Sequence, residues 1–97
     1  MEGKTKSGFT FKVDERATKT WRFISLTKEM TKGTDIQKFE ALDEALDILL
    51  GGPEEKERLM QHVESQNEGY AVIEKVIEEF DEIVDSMEKN SSSSPTA

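Results

Sequence analysis

The hydrophobic positions of this chain change period along its length, and each change marks an element. From Gly8 to Val13 they alternate, with Phe9, Phe11 and Val13 on one face and Thr10 and Lys12 on the other. Period two with aromatic and β-branched residues predicts a half-buried strand. Ser7-Gly8 supplies a turn, so residues 2–6 either complete a short N-terminal hairpin or leave a single strand free to add to a sheet edge on another chain. From Asp14, an N-cap candidate, the spacing becomes helical: Ala17, Trp21 and Ile24, with Phe23, Leu26 and Met30 beside them, run up to Gly33. Thr18, Thr20 and Thr27 lower the propensity of this helix, which must be held by packing. Trp21 is expected to anchor that packing over the Phe9/Phe11 face.

Thr34 caps a second helix with Asp35 in its first turn. Ile36, Phe39, Leu42, Leu46, Leu49 and Leu50 form its apolar stripe, while Gln37, Lys38, Glu40, Glu44 and Asp47 face water. Gly51-Gly52-Pro53 ends it and opens a third, short and charged helix over Glu54 to Val63, with Leu59, Met60 and Val63 to bury. This helix is expected to be the least stable, ending in the breaker run Ser65 to Gly69. The fourth helix, within Tyr70 to Lys89, carries Ile73, Ile77, Phe80, Val84 and Met87 at alternating four- and three-residue steps, the spacing of a coiled-coil seam. A second row, Val72, Val76 and Ile83, widens the apolar arc. So broad an arc either forms the centre of the core, the reading favoured for a chain this small, or gives its second row to another molecule. The expected fold is mainly α (α+β): a short N-terminal β-hairpin or single strand followed by about four helices. Residues 1–89 form one small domain, and residues 90–97 a disordered Ser-rich tail.

Composition narrows the function. At 97 residues, with 34% hydrophobic and 35% charged positions, the chain supports one modest core. A formal charge of −8 argues against a general nucleic-acid binder, which needs clustered Lys and Arg. The sign is uneven: Lys4, Lys6, Lys12, Arg16, Lys19, Arg22, Lys28 and Lys32 crowd the first third, and everything from Asp35 onward is acid-rich. That asymmetry either orients the protein on a partner, pairs its two ends head to tail, or only keeps two faces solvated. The absence of cysteine removes disulfides and thiolate metal sites and fits a reducing cytoplasm. No apolar run approaches the roughly 18 residues needed to span a bilayer, so neither membrane insertion nor secretion is expected.

No residue constellation promises chemistry. Glu78, Asp81, Glu82 and Asp85 lack the several Glu-x-x-His pairs of a helix-bundle metal site, since His62 is the single histidine. No calcium loop is present, and Gly51-Gly52-Pro53 lacks the Lys-Ser/Thr of a phosphate-binding loop. His62 reads as a lone, neutral surface side chain, the carboxylates as a solvated face. The expectation is a non-enzymatic binding protein without cofactor or metal.

The order of parts carries a resemblance. A Ser-Gly-Phe-x-Phe-x-Val hairpin at residues 7–13 is followed by a Trp-containing helix, a Leu-rich helix ending Leu49-Leu50-Gly51, an acidic helix with Phe80, and the terminus Lys89-Asn90-Ser91-Ser92-Ser93-Ser94-Pro95. Together, over most of residues 7–95, these resemble the small tail assembly chaperones of long-tailed bacteriophages and prophages of Gram-positive bacteria. The resemblance implies a protein of the host cytoplasm, absent from the finished virion, that keeps the tape measure protein soluble and helps recruit tail tube subunits. It also implies, for many such proteins, a longer frameshifted form of the same chain. A homo-oligomer is an open alternative. The partner-binding residues expected on this reading are Val72, Val76 and Ile83, with Leu59 and Met60 of the third helix as an adjustable edge. The rival reading is a small acidic adaptor or regulatory protein that fits its carboxylate-rich fourth helix into a basic groove.

Overall fold

The computed structural model describes residues 1–92. It is mainly helical, with a short N-terminal hairpin: β1 (Glu2–Lys4), β2 (Thr10–Lys12), a 3-10 turn (Glu15–Lys19), then α1 (Trp21–Lys32), α2 (Asp35–Leu50), α3 (Pro53–Gln66) and α4 (Ile73–Ser92). The helix α4 extends past Lys89, and residues 93–97 of the expected Ser-rich tail lie outside the described residues. The chain forms two compact units, one made of residues 1–12 with the chain from Leu59 onward, the other of Val13–Arg58.

In the first unit β1 and β2 pair antiparallel in the register Glu2↔Lys12, Gly3↔Phe11 and Lys4↔Thr10. Gly3 is required there: a Cβ at this position would lie 2.6 Å from the Phe11 ring, so the glycine lets the ring lie over the opposite strand. The loop closes through the Thr5 amide on the Phe9 carbonyl at 2.9 Å and the Gly8 amide on the Thr5 carbonyl at 3.0 Å, with Gly8 left-handed at φ 99°. Two short strands do not stand alone, and β1 packs against α4. The buried apolar side chains of this unit are Phe9 and Phe11, Leu59 and Val63 of α3, and Val76, Phe80, Ile83 and Met87 of α4.

In the second unit the helix expected from Asp14 to Gly33 is two pieces. Asp14 caps the 3-10 turn, accepting from the Arg16 amide at 2.9 Å and pairing with the Arg16 guanidinium at 2.7 Å. Those bonds, the guanidinium's foremost, hold the Asp14 carboxyl well below the usual carboxylate range. The break falls at Thr20, whose backbone is extended and whose hydroxyl serves both sides: it donates to the Ala17 carbonyl at 3.1 Å and accepts from the Phe23 amide at 3.2 Å. A threonine with these two local partners favours a cap over a helix interior. Restarting at Trp21 turns Phe23 and Leu26 inward and leaves Trp21 88% exposed, so the expectation of a core tryptophan over Phe9 and Phe11 is overturned.

The start of α2 carries a reciprocal capping box, Thr34 Oγ1 accepting from the Gln37 amide at 3.3 Å and Gln37 Oε1 from the Thr34 amide at 2.9 Å. Ala41, Leu42, Ala45, Leu46, Leu49 and Leu50 are its buried face, α1 packs along it, and Arg22 pairs with Glu44 at 2.7 Å. Gly51 ends the helix in the left-handed region at φ 91°, as the sequence predicts. The start of α3 is tied back by Lys56, whose ammonium lies 2.8 Å from Asp43 Oδ1 and 3.2 Å from Asp47.

Ile83 and Leu59 are fully enclosed, so Ile83→Ala and Leu59→Ala should each cost about 2–5 kcal/mol in urea denaturation. Trp21→Ala should change stability by no more than about 0.5 kcal/mol. The hydrogen bond that Lys56 donates to Asp43, then the one to Asp47, raises the ammonium above its ordinary range against the opposing effect of burial. A folded-state value above the unfolded one stabilises the fold fully at neutral pH. The contribution fades as pH climbs above the unfolded lysine value, about 10.4, and through the folded one. The stability gap between the native chain and Lys56→Met should therefore shrink at high pH, which denaturation at stepped alkaline pH will measure.

Candidate functional site

The hairpin loop of the first unit carries hydroxyls that meet α3 and α4. Thr5 Oγ1 donates to Glu79 Oε1 at 3.1 Å, Ser7 Oγ donates to the same oxygen, and His62 Nε2 lies 2.9 Å from Ser7 Oγ and 3.8 Å from that carboxylate oxygen. Each hydroxyl has one proton, and both are given to Glu79. The 3.1 Å contact between Thr5 and Ser7 then carries no proton, and His62 must be the donor to Ser7 through Nε2–H. Thr5 Oγ1 also accepts from the Phe9 amide at 3.2 Å, the Lys6 amide donates to Glu82 Oε1 at 2.8 Å, and Gln66 Nε2 donates to the Ser7 carbonyl at 2.8 Å.

Ser, His and Glu together are the residue types of a nucleophilic triad, but the roles do not match one. In a triad the acid holds Nδ1 and leaves Nε2 to take the serine proton. Here the acid takes that proton itself, and Nε2 is a donor. The cluster is a clamp joining the loop to two helices. It corrects the reading of His62 as lone surface decoration, since the ring is largely buried and lies 5.5 Å from the Phe9 ring. Glu79, one residue from the Glu78 of the expected solvated face, is buried as well.

The structure rearranges the expected partner-binding residues. Val76, Ile83 and Leu59 are core, Met60 is half-buried, and of the five only Val72 is clearly exposed. The reason is register: the buried stripe of α4 is Val76, Phe80, Ile83 and Met87, a four-three-four spacing that shares only Phe80 and Met87 with the seam read from the sequence. The residues turned outward are Ile73, 52% exposed, and Ile77, 40% exposed, with Tyr70 exposed just before the helix. Beside Ile73 and Ile77 runs a row of carboxylates, Glu74, Glu78, Asp81 and Asp85. Lys75 lies 3.6 Å from Glu78 of that row. Partial burial, then repulsion from Asp85, pushes the Asp81 carboxyl up from its ordinary value.

The second unit carries apolar surface that the sequence reading assigned to the core. Residues 34–40 are exposed throughout, leaving Ile36 72% and Phe39 53% exposed at the start of α2. The signal was in the alanines: counting Ala41 and Ala45 with the leucines rotates the buried face of α2 away from Ile36, with Phe39 at its edge. On α1, Trp21 and Ile24 are exposed and share one face with Lys28 and Lys32. Among the described residues no helix is long and apolar enough to cross a membrane. No protein-family model, curated protein or solved structure matches the chain.

Glu79→Ala strands two loop hydroxyls and should cost about 1–3 kcal/mol in urea denaturation. Glu82→Ala, whose bond to the Lys6 amide is exposed, should cost less than about 1 kcal/mol.

Proposed function

We propose that this protein is a bacteriophage or prophage tail assembly chaperone, which holds the tape measure protein in solution in the host cytoplasm and helps recruit tail tube subunits. It is not an enzyme on this reading. The supporting observation is the uncovered start of α2, where Ile36 and Phe39 stand at i and i+3 on an otherwise well-capped helix. Apolar side chains at this spacing are what a client helix meets in helix-to-helix recognition. The capping box fixes the helix before the client arrives, which lowers the ordering cost of binding. Asp35, Gln37, Lys38 and Glu40 ring the apolar pair with polar groups, the rim that keeps such a surface soluble when unoccupied.

A second reading, an acidic adaptor for a basic groove, is favoured by the exposed carboxylate row of α4. The two separate on one experiment, co-expression of a tape measure fragment with the native chain and with surface variants. On the chaperone reading, Ile36→Asp and Phe39→Asp lower the recovery of soluble fragment several-fold, while circular dichroism and the unfolding midpoint stay close to native. Variants that hold the fragment as well as the native chain would falsify this surface, and binding that is lost with added salt but indifferent to Phe39→Asp would favour the adaptor. Val76→Asp is the unfolding control, because Val76 is core.

A further inference from the structure

One occupant for the acidic, partly apolar face of α4 is written in the chain itself. That face offers Ile73 and Ile77 at its N-terminal end and a row of carboxylates running to Asp85. The exposed face of α1 is its counterpart: Trp21 and Ile24 at the N-terminal end, then Lys28 and Lys32. Neither lysine is within ion-pair distance of a carboxylate among the described residues. The spacings agree. Ile24 to Lys28 and Ile77 to Asp81 are both four residues, and so are Lys28 to Lys32 and Asp81 to Asp85, each about 6 Å of helix.

We propose that α1 of one molecule docks alongside α4 of a second copy, Trp21 and Ile24 against Ile73 and Ile77, and Lys28 and Lys32 against Asp81 and Asp85. In this parallel alignment the tryptophan, 88% exposed in the single chain, gains the apolar cover it lacks, and aromatic anchors of this kind dominate interface energies. The lysines meet carboxylates that repel one another along α4, so the pairing relieves an unfavourable i, i+4 arrangement as well as adding attraction. Like-charge contacts oppose the alternatives: α4 on α4 brings carboxylates together, and α1 on α1 brings lysines together. The contact joins unlike faces, so every copy carries both halves of it, and a copy with one face altered keeps the other half. Helix-on-helix contact of this extent is small, so the association is weak and reversible.

Sedimentation velocity of the full chain, alone and without any client, tests this separately from the chaperone reading. The native chain should sediment faster as its concentration rises from low micromolar to millimolar. Trp21→Glu and Ile77→Lys, both at exposed positions, should each stay monomeric over that range. Their equimolar mixture should assemble and stop at the dimer, because it holds one intact α1 face and one intact α4 face. Lys28→Glu should weaken assembly, and mixing it with Asp81→Lys should restore it. A native chain that stays monomeric throughout overturns the proposal. So does either apolar-face variant assembling like the native chain, or a mixture that remains monomeric.

Discussion

A single buried carboxylate organises the first unit. Glu79 accepts from Thr5 and Ser7 of the hairpin loop and faces His62 of α3 from its own place on α4, so segments far apart in sequence converge on one acceptor. A two-stranded hairpin with three residues per strand has little intrinsic stability, and burying a carboxylate is unfavourable unless hydrogen bonds replace its water. Each difficulty answers the other: the loop supplies the hydroxyls the carboxylate needs, and the carboxylate fixes the loop that presents Phe9 and Phe11 to the core. Polar networks of this type specify one arrangement because a slipped hairpin register would leave Glu79 unmet.

The same clamp explains part of what the sequence left illegible. Thr5, Ser7, His62 and Glu79 fit no local spacing rule, since their meeting depends on how the hairpin lies on the helices. Local chemistry read well: the Ser7-Gly8 turn, the Thr34 cap and the Gly51 stop all appear where their residue types require them, although the Gln37 side of the capping box went unread. Helix existence was likewise legible, because hydrophobic periodicity survives any tertiary arrangement. Faces were less so. In α4 the rows through Ile73 and through Val76 are both apolar, and periodicity alone cannot rank them. Glu79 decides between them, because it must reach the loop, and turning it inward brings Val76, Phe80 and Ile83 with it. In α2 the large side chains drew the eye to Ile36 and Phe39, whereas the small Ala41 and Ala45 mark where backbone and neighbouring side chains come close.

Trp21 illustrates a different limit. Tryptophan is buried more often than not, and a lone one in a small chain invites the role of core anchor. Its side was settled instead by Thr20, whose hydroxyl closes one turn and caps the next. One hydroxyl with two backbone partners breaks the helix, and the break sets the phase of everything after it: Phe23 and Leu26 turn inward, Trp21 outward. Local hydrogen bonding thus outranked the gain from burying the largest side chain in the chain.

The exposed apolar residues are not scattered. Ile36 and Phe39 share the start of α2, Trp21 and Ile24 the start of α1, and Ile73 and Ile77 the start of α4. Each pair sits in the first turns of its helix: in α2 the buried residues begin only at Ala41, and in α1 Phe23 and Leu26 turn inward from between and beyond the exposed pair. Such residues add nothing to folding and raise the risk of unwanted association. A net charge of −8 counters that risk by keeping copies apart at long range, and it acts without regard to orientation. Selectivity then falls to short-range pairing. A surface that combines apolar contact with the opposite charge gains from both, and one that matches only the apolar part must approach against the field. The segregation of lysine onto α1 and of carboxylate onto α4 is what gives a net acidic chain surfaces that can tell partners apart.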